Sequence, residues 1–403
     1  MKVSFLFGAG TSIPAGIPST KDITDSIILG KDIRDGLEFF RHSDDHFYKK
    51  PDNSFEMAYG KNMVSNITKF LSRIVPEVEY FLGTRGFERP ANYEDLFFIV
   101  SQFDHHYNEE GLNPAIQPFI DKISHDTKYL MKMEFSKERY SLAGFSREAA
   151  KYINDIAIHM IKSPVQNTNH LSFLKEIDTD SEITRADIFS LNYDLVIEKY
   201  FNDNLLFLNN FMEPTSDSRI MSWNEKNSLQ KFNLLKLHGS VDWYFKDGVK
   251  AMPVMENIDF NTLNMTDLFD YHRPVLLMGT LNKVLKYSTD TWIDLQWMFK
   301  NMLSESDFLI ISGYGFGDEM VNSRIMSWLN FGKERKIILV HAEPEKIRSI
   351  DMSMFYDELG WSRWTSLRKE GKIILVRKWI QNIKWKEIKE IIKEHTCQNK
   401  NLN

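Results

Sequence analysis

The chain opens with a short apolar segment that leads directly into two closely spaced glycines. Residues 3–7 are apolar apart from one serine, and Gly8-Ala9-Gly10-Thr11-Ser12 follow them. A buried strand that ends in such a turn before a helix brings backbone N–H groups close to a bound anion. Doubly wound α/β proteins hold the pyrophosphate of a dinucleotide in this way. The opening of the sequence therefore predicts an α/β fold, although an ordinary strand-to-helix turn would have the same pattern.

Further apolar segments, several of them followed by glycine or a polar turn residue, indicate more buried strands. They are Asp187–Leu191, Asn233–His238, Phe308–Ser312, Lys336–His341 and Lys372–Val376. Helical patterns lie between them, at 194–201, 290–303 and 318–329. This alternation predicts a Rossmann-like, mostly parallel sheet with helices on both faces.

Residues 32–173 have a different pattern, with apolar residues at helical spacing and no clear strand. The helical patterns cover 55–71, 93–103 and 147–161, and Pro76, Pro90 and Pro114 fall where helices are expected to end. We therefore predict two units. Residues 1–31 and 174–403 form the Rossmann-like domain, and residues 32–173 form a helical insertion or subdomain.

The composition of the chain limits the classes of function that it can have. The 403 residues carry a formal net charge of −6, so direct binding of nucleic acid is not expected. The single cysteine, Cys397, cannot form an internal disulfide or a cysteine-based zinc ribbon. No apolar stretch approaches the roughly 20 residues that cross a bilayer. These features predict a cytoplasmic location.

Polar residues follow two of the predicted strands. Asn192 and Asp194 come after the first of them, at the edge where ligands of doubly wound sheets bind. Asn192 suits the orientation of a ribose hydroxyl or a water, and Asp194 can accept a hydrogen bond. A helix cap at either residue is the alternative. His238, before Gly239, stands where a general base would be placed, although a structural histidine is the commoner case.

Three more segments complete the candidate site. Gly16-Ile17-Pro18 predicts a second bend that folds the first loop back over a ligand. Gly313 and Gly315 lie in a glycine-rich turn after the Phe308 strand and permit close approach of a nucleotide. Glu343 follows another strand, where an acidic residue can hold the adenosine ribose. A plain strand-to-helix turn and a helix start are the alternatives for the last two segments.

Together these motifs resemble the sirtuin-like family. Its pattern is a glycine-alanine-glycine-x-serine loop with glycine-isoleucine-proline, then asparagine-x-aspartate, histidine-glycine and a late glycine-rich strand end. The matching segments are Gly8–Ser12, Gly16–Pro18, Asn192–Asp194, His238–Gly239 and Gly313–Gly317. The order is the same, and the resemblance covers roughly residues 1–31 and 180–378, outside the helical middle.

The resemblance implies a Rossmann-like domain that binds NAD as its substrate and breaks the bond between nicotinamide and ribose. The first loop, residues 8–12, would contact the pyrophosphate through Gly8, Gly10 and Ser12, with Ala9 and Thr11 between them. In the same way, Asn192 would position the ribose or an attacking water, Asp194 would hold the carboxamide, and His238 would act as general base. No metal is expected.

Two departures from the family pattern separate this chain from sirtuin deacylases. Those enzymes carry a four-cysteine zinc ribbon, and they have aspartate-phenylalanine-arginine where this chain has Ser19-Thr20-Lys21. The chain thus resembles the bacterial antiviral branch, whose members degrade NAD to nicotinamide and ADP-ribose. Its length is similar to the subunit that works beside a HerA-type hexameric ATPase, which implies a homo-oligomer gated by assembly or a partner. A non-catalytic NAD or ADP-ribose sensor and an NAD-dependent protein deacylase are the alternatives.

Overall fold

The central feature of the computed structural model is a six-stranded parallel sheet with the strand Lys2–Phe7 in its interior. The described residues are 1–30, 48–49, 55–56, 61–84, 89–107, 114–131, 141–214, 220–223, 229–243, 254–255, 274–279, 290–332, 334–347 and 363–400. The strands of this sheet are β1 (Lys2–Phe7), β4 (Arg185–Ser190), β7 (Phe232–Lys236), β9 (Phe308–Ser312), β10 (Lys336–Val340) and β11 (Ile373–Val376). Their order in the sheet is β11–β10–β9–β1–β4–β7.

The register of this sheet positions the candidate site. Phe7, the last residue of β1, pairs with Ser190 at the end of β4 and with Ser312 at the end of β9. The segments that follow these three strands therefore leave the sheet side by side. The predicted α/β class and Rossmann-like parallel sheet are confirmed, and the observed strands begin or end within about two residues of the predicted ones.

Helices cover both faces of the sheet. Leu6 packs into one hydrophobic core, whereas Phe5 and Phe7 pack into another on the opposite face, as expected for alternating side chains of a strand. Burial on both sides explains the nearly continuous apolar runs. The helices are α1 (Thr20–Leu29), α2 (Lys61–Thr84), α3 (Tyr93–Tyr107), α4 (Gln117–Thr127), α5 (Leu142–Ile161), α6 (Phe173–Thr179), α7 (Val196–Asp203), α8 (Asp290–Ser304), α9 (Glu319–Asn330), α10 (Arg363–Lys369) and α11 (Trp385–Lys400).

Two smaller sheets accompany the main one. Strands β2 (Tyr48–Lys49) and β3 (Phe55–Glu56) form an antiparallel pair. Strands β5 (Met212–Pro214), β6 (Ile220–Trp223) and β8 (Val254–Met255) form an antiparallel sheet of three. The β2–β3 pair lies inside the region predicted to have no strand, so that prediction is wrong at this point.

Helices α2–α5 share a third core, as expected for the helical middle of the chain. The predicted helix over 55–71 is wrong at both ends, because the helix begins at Lys61 and continues through Pro76 to Thr84. Pro76 removes one backbone hydrogen bond from α2. Burial of the apolar face of the helix, which includes Phe70 and Ile74, offsets this loss. The domain boundary at 173/174 stays a prediction.

No helix among the described residues is both long enough and apolar enough to span a bilayer.

Candidate functional site

The first glycine loop, Gly8–Ser12, packs backbone to backbone against the second glycine loop, Gly313–Gly317. The amide of Gly10 donates to the carbonyl of Gly313 at 2.9 Å. A Cβ on Gly313, whose φ is +65°, would lie 2.2 Å from the amide nitrogen of Thr11. Packing between the two loops is therefore enough to explain the glycine at position 313, and no ligand is needed for the explanation. The pyrophosphate contacts of the first loop stay a prediction.

The bend that follows the first loop is held by the protein core. Gly16 has a φ of +89°, and a Cβ there would lie 2.5 Å from Cδ of Gln166. Ile17 is buried in the core beneath the sheet, Pro18 is half-buried and Ala9 is exposed. Ile17 can thus offer a ligand little besides its backbone, and the ligand contacts predicted for these residues also stay predictions.

Asn192 connects β4 to the first glycine loop. Its Nδ2 donates to the carbonyl of Gly8 at 3.0 Å and lies 2.9 Å from Oγ of Ser12, while its backbone amide donates to Oγ of Ser190 at 3.2 Å. The side chain is buried, and its Oδ1 has no hydrogen-bond partner among the described residues. Asn192 is therefore a rigidly placed amide with one acceptor oxygen available to a donor.

Asp194 lies two residues before α7, and its predicted contact with a carboxamide stays a prediction. Its carboxylate accepts a hydrogen bond from the amide of Val196, the first residue of α7, at 3.0 Å. The buried Lys236 donates to the carbonyl of Asp194 and pairs with Glu198 at 3.2 Å. Burial raises the pKa of Glu198, and the charge of Lys236 opposes this rise. Hydrogen bonds thus hold the turn from Asn192 to Asp194 in place at both of its ends.

His238 follows β7 and is buried. It lies beside Asp318, the residue that directly follows the second glycine loop. Its Nε2 lies 2.9 Å from Oδ2 of Asp318, a residue that sequence analysis treated only as the start of a helix. The ring of Tyr193 is 6.2 Å from the His238 ring between centroids. Gly239 has a φ of +84°, and a Cβ there would lie 2.1 Å from the carbonyl oxygen of Val275. The predicted base is therefore paired with a carboxylate on a tightly packed turn.

The remaining two predicted ligand residues lie farther from these contacts. A Cβ on Gly315 would meet no atom of the described residues within 4 Å, and its predicted approach to a nucleotide stays a prediction. Glu343 follows β10, which is two strands away from β1 in the sheet order. Its carboxylate pairs with Lys346 at 2.7 Å, and its amide donates to Nδ1 of His341 at 3.0 Å. The predicted ribose contact of Glu343 stays a prediction.

His170 is a buried residue near Thr11 and Asp194 that sequence analysis did not single out. It lies in a short 3-10 helix, Asn169–Leu171, and its side chain is buried. Burial lowers the pKa of His170 to about 4. The backbone of Thr11 and the charge of Asp194 act in the opposite direction and raise this pKa by less. Neither ring nitrogen has a hydrogen-bond partner among the described residues. The polar run at 166–170 is the only sequence signal that could have indicated a loop facing the site.

Comparison with solved structures gives distant likenesses. A crystal structure of a Sir2 homolog–NAD complex is 11% identical, with 98% of this chain and 90% of that chain covered and a TM-score of 0.35. A point mutant of a Sir2 homologue in complex with ADP-ribose is also 11% identical, with 100% and 94% covered and a TM-score of 0.34. These scores are too low to carry an argument, and the fold above rests on the strand pairing itself.

Comparison with family models gives a direct match. No curated protein matches the chain, but residues 186–357 match the model described as SIR2-like domain. The matched segment begins in β4 and includes Asn192, Asp194, His238, Asp318 and Glu343. The first glycine loop lies outside the match and joins the site through the parallel pairing of β1 with β4 and β9. The chain is therefore similar to SIR2-like domains over residues 186–357.

Proposed function

We propose that this protein hydrolyses NAD to nicotinamide and ADP-ribose. The observation that carries the proposal is the buried Oδ1 of Asn192 beside the first glycine loop, which has no hydrogen-bond partner in the part of the chain that the structure describes. The buried ring of His170 lies near the same loop, close to Thr11, and its nitrogens also have no hydrogen-bond partner within the described ranges. Buried polar atoms in folded proteins are nearly always hydrogen-bonded, so these atoms indicate a polar ligand. The SIR2-like domain supports NAD as that ligand.

The proposed reaction breaks the bond between the nicotinamide nitrogen and C1′ of the ribose. The bonding electron pair leaves with nicotinamide, which becomes neutral, and the ribose acquires the character of a cation. A water oxygen then bonds to C1′, and one proton of that water passes to His238. Asn192 orients the water or a ribose hydroxyl through its Oδ1. Such a site needs a base and a fixed polar group, and it does not need a strong nucleophile.

Incubation of the purified full chain with NAD, followed by chromatography of nicotinamide, tests this proposal. Asn192→Ala should reduce nicotinamide release by about a hundredfold or more, because loss of a positioning contact has effects of this order. The exposed Asn202 offers a matched control, since Asn202→Ala makes the same chemical change on the surface of α7. NAD that persists with the unchanged protein, alone and with each candidate partner, would overturn the proposal.

Two further measurements separate the alternative functions. Tight binding of NAD in a calorimeter without nicotinamide release would identify a sensor. Nicotinamide release only in the presence of an acetylated peptide would identify a protein deacylase. The cysteine count supports hydrolysis over deacylation, because one cysteine cannot build the zinc ribbon of the deacylases.

The proposal extends to the biological role that the antiviral branch of the family implies. In that role the protein removes NAD from a phage-infected cell, and its activity is held back by assembly or by a HerA-type ATPase. The support is the pair of sequence departures, the absent zinc ribbon and Ser19-Thr20-Lys21. Cellular NAD should fall after infection in cells with the unchanged protein and stay constant in cells with Asn192→Ala. Size-exclusion chromatography with and without the ATPase tests the partner.

A further inference from the structure

The carboxylate of Asp318 makes two sets of contacts with its two oxygens. Oδ2 lies 2.9 Å from Nε2 of His238, and the two side chains are 6% and 5% exposed. Oδ1 accepts hydrogen bonds from the amides of Met320 and Val321, both at 3.0 Å. Asp318 is thus the N-cap of α9 and the partner of His238 at the same time. The capping role uses only Oδ1, so it does not account for the contact between Oδ2 and the imidazole.

The surroundings of this carboxylate favour a negative charge and hold the group in one position. Helix α9 has 12 residues, and the N-terminus of a helix stabilises a negative charge. The hydroxyl of Tyr314 accepts a hydrogen bond from the amide of Asp318 at 3.2 Å and lies 2.8 Å from Oδ1 of Asn322. Asn322 in turn donates to the carbonyl of Phe316 at 2.8 Å. The second glycine loop is therefore folded around the backbone of Asp318.

The loop also ties this carboxylate to the rest of the site. Its first residue, Gly313, accepts from Gly10 of the first glycine loop at 2.9 Å, and its last, Gly317, directly precedes Asp318. The segment from Gly313 to Asp318 thus spans the distance between the first loop and His238. Packing between the loops explains the glycine at position 313. At its other end, the segment places the carboxylate of Asp318 against the imidazole of His238.

We propose that Asp318 is the positioning residue of His238 and keeps its imidazole in the tautomer protonated on Nε2. In that tautomer Nε2–H donates to the carboxylate, and the lone pair resides on Nδ1, which then takes the proton of the attacking water. The carboxylate also stabilises the imidazolium that forms. No proton passes to Asp318. This inference rests on the proposed function for the water step, whereas the tautomer of His238 is a property of the protein alone.

The tautomer is measured first, by ¹⁵N NMR of the imidazole groups in full-length protein without NAD. The chain has 11 histidines, and the spectrum of His238→Gln assigns the signal of interest. We expect the unchanged protein to show protonation on Nε2. Asp318→Asn and Asp318→Ser keep a good N-cap residue and remove the charge, so both should fold and shift the signal toward the Nδ1–H form. Glu319→Gln removes an adjacent, exposed charge and should leave the signal unchanged.

Kinetics are measured second on the same variants. The kcat for nicotinamide release should fall at least about tenfold in Asp318→Asn and Asp318→Ser with little change in KM, because a histidine base contributes about 10²–10⁴-fold. Glu319→Gln should retain the kcat of the unchanged protein. An unaltered His238 signal in both Asp318 variants would overturn the positioning role whatever the kinetics. A shifted signal in a protein that never releases nicotinamide would refute the hydrolase and leave the pairing established.

Discussion

His170 and His238 are equally buried, each with 4% of its surface exposed, yet their surroundings are opposite. His238 faces the carboxylate of Asp318 at 2.9 Å. The ring nitrogens of His170 have no hydrogen-bond partner among the described residues, and burial lowers the pKa of this ring to about 4. The comparison teaches that burial alone makes an imidazole a weak base at neutral pH. A buried histidine that must accept a proton needs a negative partner.

The two histidines therefore have different roles in the proposed reaction. His238, with its carboxylate, can take a proton from water and hold the resulting charge. His170 stays neutral at pH 7 and can only exchange hydrogen bonds with a ligand. The second glycine loop joins them physically, because Gly313 packs on Thr11 near His170 while Asp318 reaches His238. Each prediction below separates the roles of the two rings or disturbs the loop between them.

Loss of the His238 imidazole should have the largest effect. His238→Ala should lower kcat for nicotinamide release by about 10²–10⁴-fold, since it removes the general base. His170→Gln should keep kcat within about tenfold, because a neutral amide can replace a neutral ring in hydrogen bonding. The exposed His125 gives a control substitution, His125→Ala, far from a buried environment. Steady-state kinetics with the folding of each variant checked by circular dichroism provide the measurement. A larger loss in His170→Gln than in His238→Ala would reverse the assignment.

A methyl group on Gly313 should disrupt the loop contact that connects the two histidines. The residue has a φ of +65°, and the added Cβ would lie 2.2 Å from the amide of Thr11. Strain and overpacking together should lower the free energy of unfolding by about 2–5 kcal/mol. Gly317→Ala is the matched control, because its Cβ would meet no atom within 4 Å in the described part of the chain. Urea denaturation compares the two, and equal stability would mean that the loops do not need this close approach.

The sequence predicts where two of the candidate residues lie, while their roles stay predictions. Asn192 and His238 follow strands of the sheet, as predicted, because apolar runs are local signals and the carboxyl ends of parallel strands share one edge. His170 and Asp318 escaped prediction as site residues, since a 3-10 helix and a helix N-cap carry no sign of what they face. Their roles follow only from tertiary packing. The helix that runs through Pro76 was missed for a related reason, because its long apolar face outweighs a local breaker.

Stability below neutral pH should report the unpaired state of His170. Its pKa is about 4 in the folded protein and 6.5 in the reference state, so the unfolded chain binds a proton between these values and the folded protein does not. The free energy of unfolding should therefore fall as the pH decreases from 6.5 to about 4, by at most about 3 kcal/mol, and this contribution should not change further below that range.

The difference between the unchanged protein and His170→Gln isolates this contribution. Asp187 acts in the opposite direction, because burial raises its pKa to about 6 and the folded protein then binds the additional proton. Both proteins contain Asp187, so its contribution cancels in the difference. Urea denaturation at a series of pH values gives both curves. Parallel curves between pH 6.5 and 4 would show that His170 titrates alike in the folded and unfolded states.

The smallest expected effect concerns ligand contact by the neutral His170 ring. If the ring exchanges a hydrogen bond with NAD, His170→Leu should raise KM by up to about tenfold, since one such bond contributes about 0.5–1.5 kcal/mol. His170→Gln retains the ability to form the bond and should change KM much less, and kcat should be similar in both. Nicotinamide release across a range of NAD concentrations measures the split. Equal KM values in the two variants and the unchanged protein would remove His170 from the ligand site and leave its unpaired nitrogens as a purely structural feature of the fold.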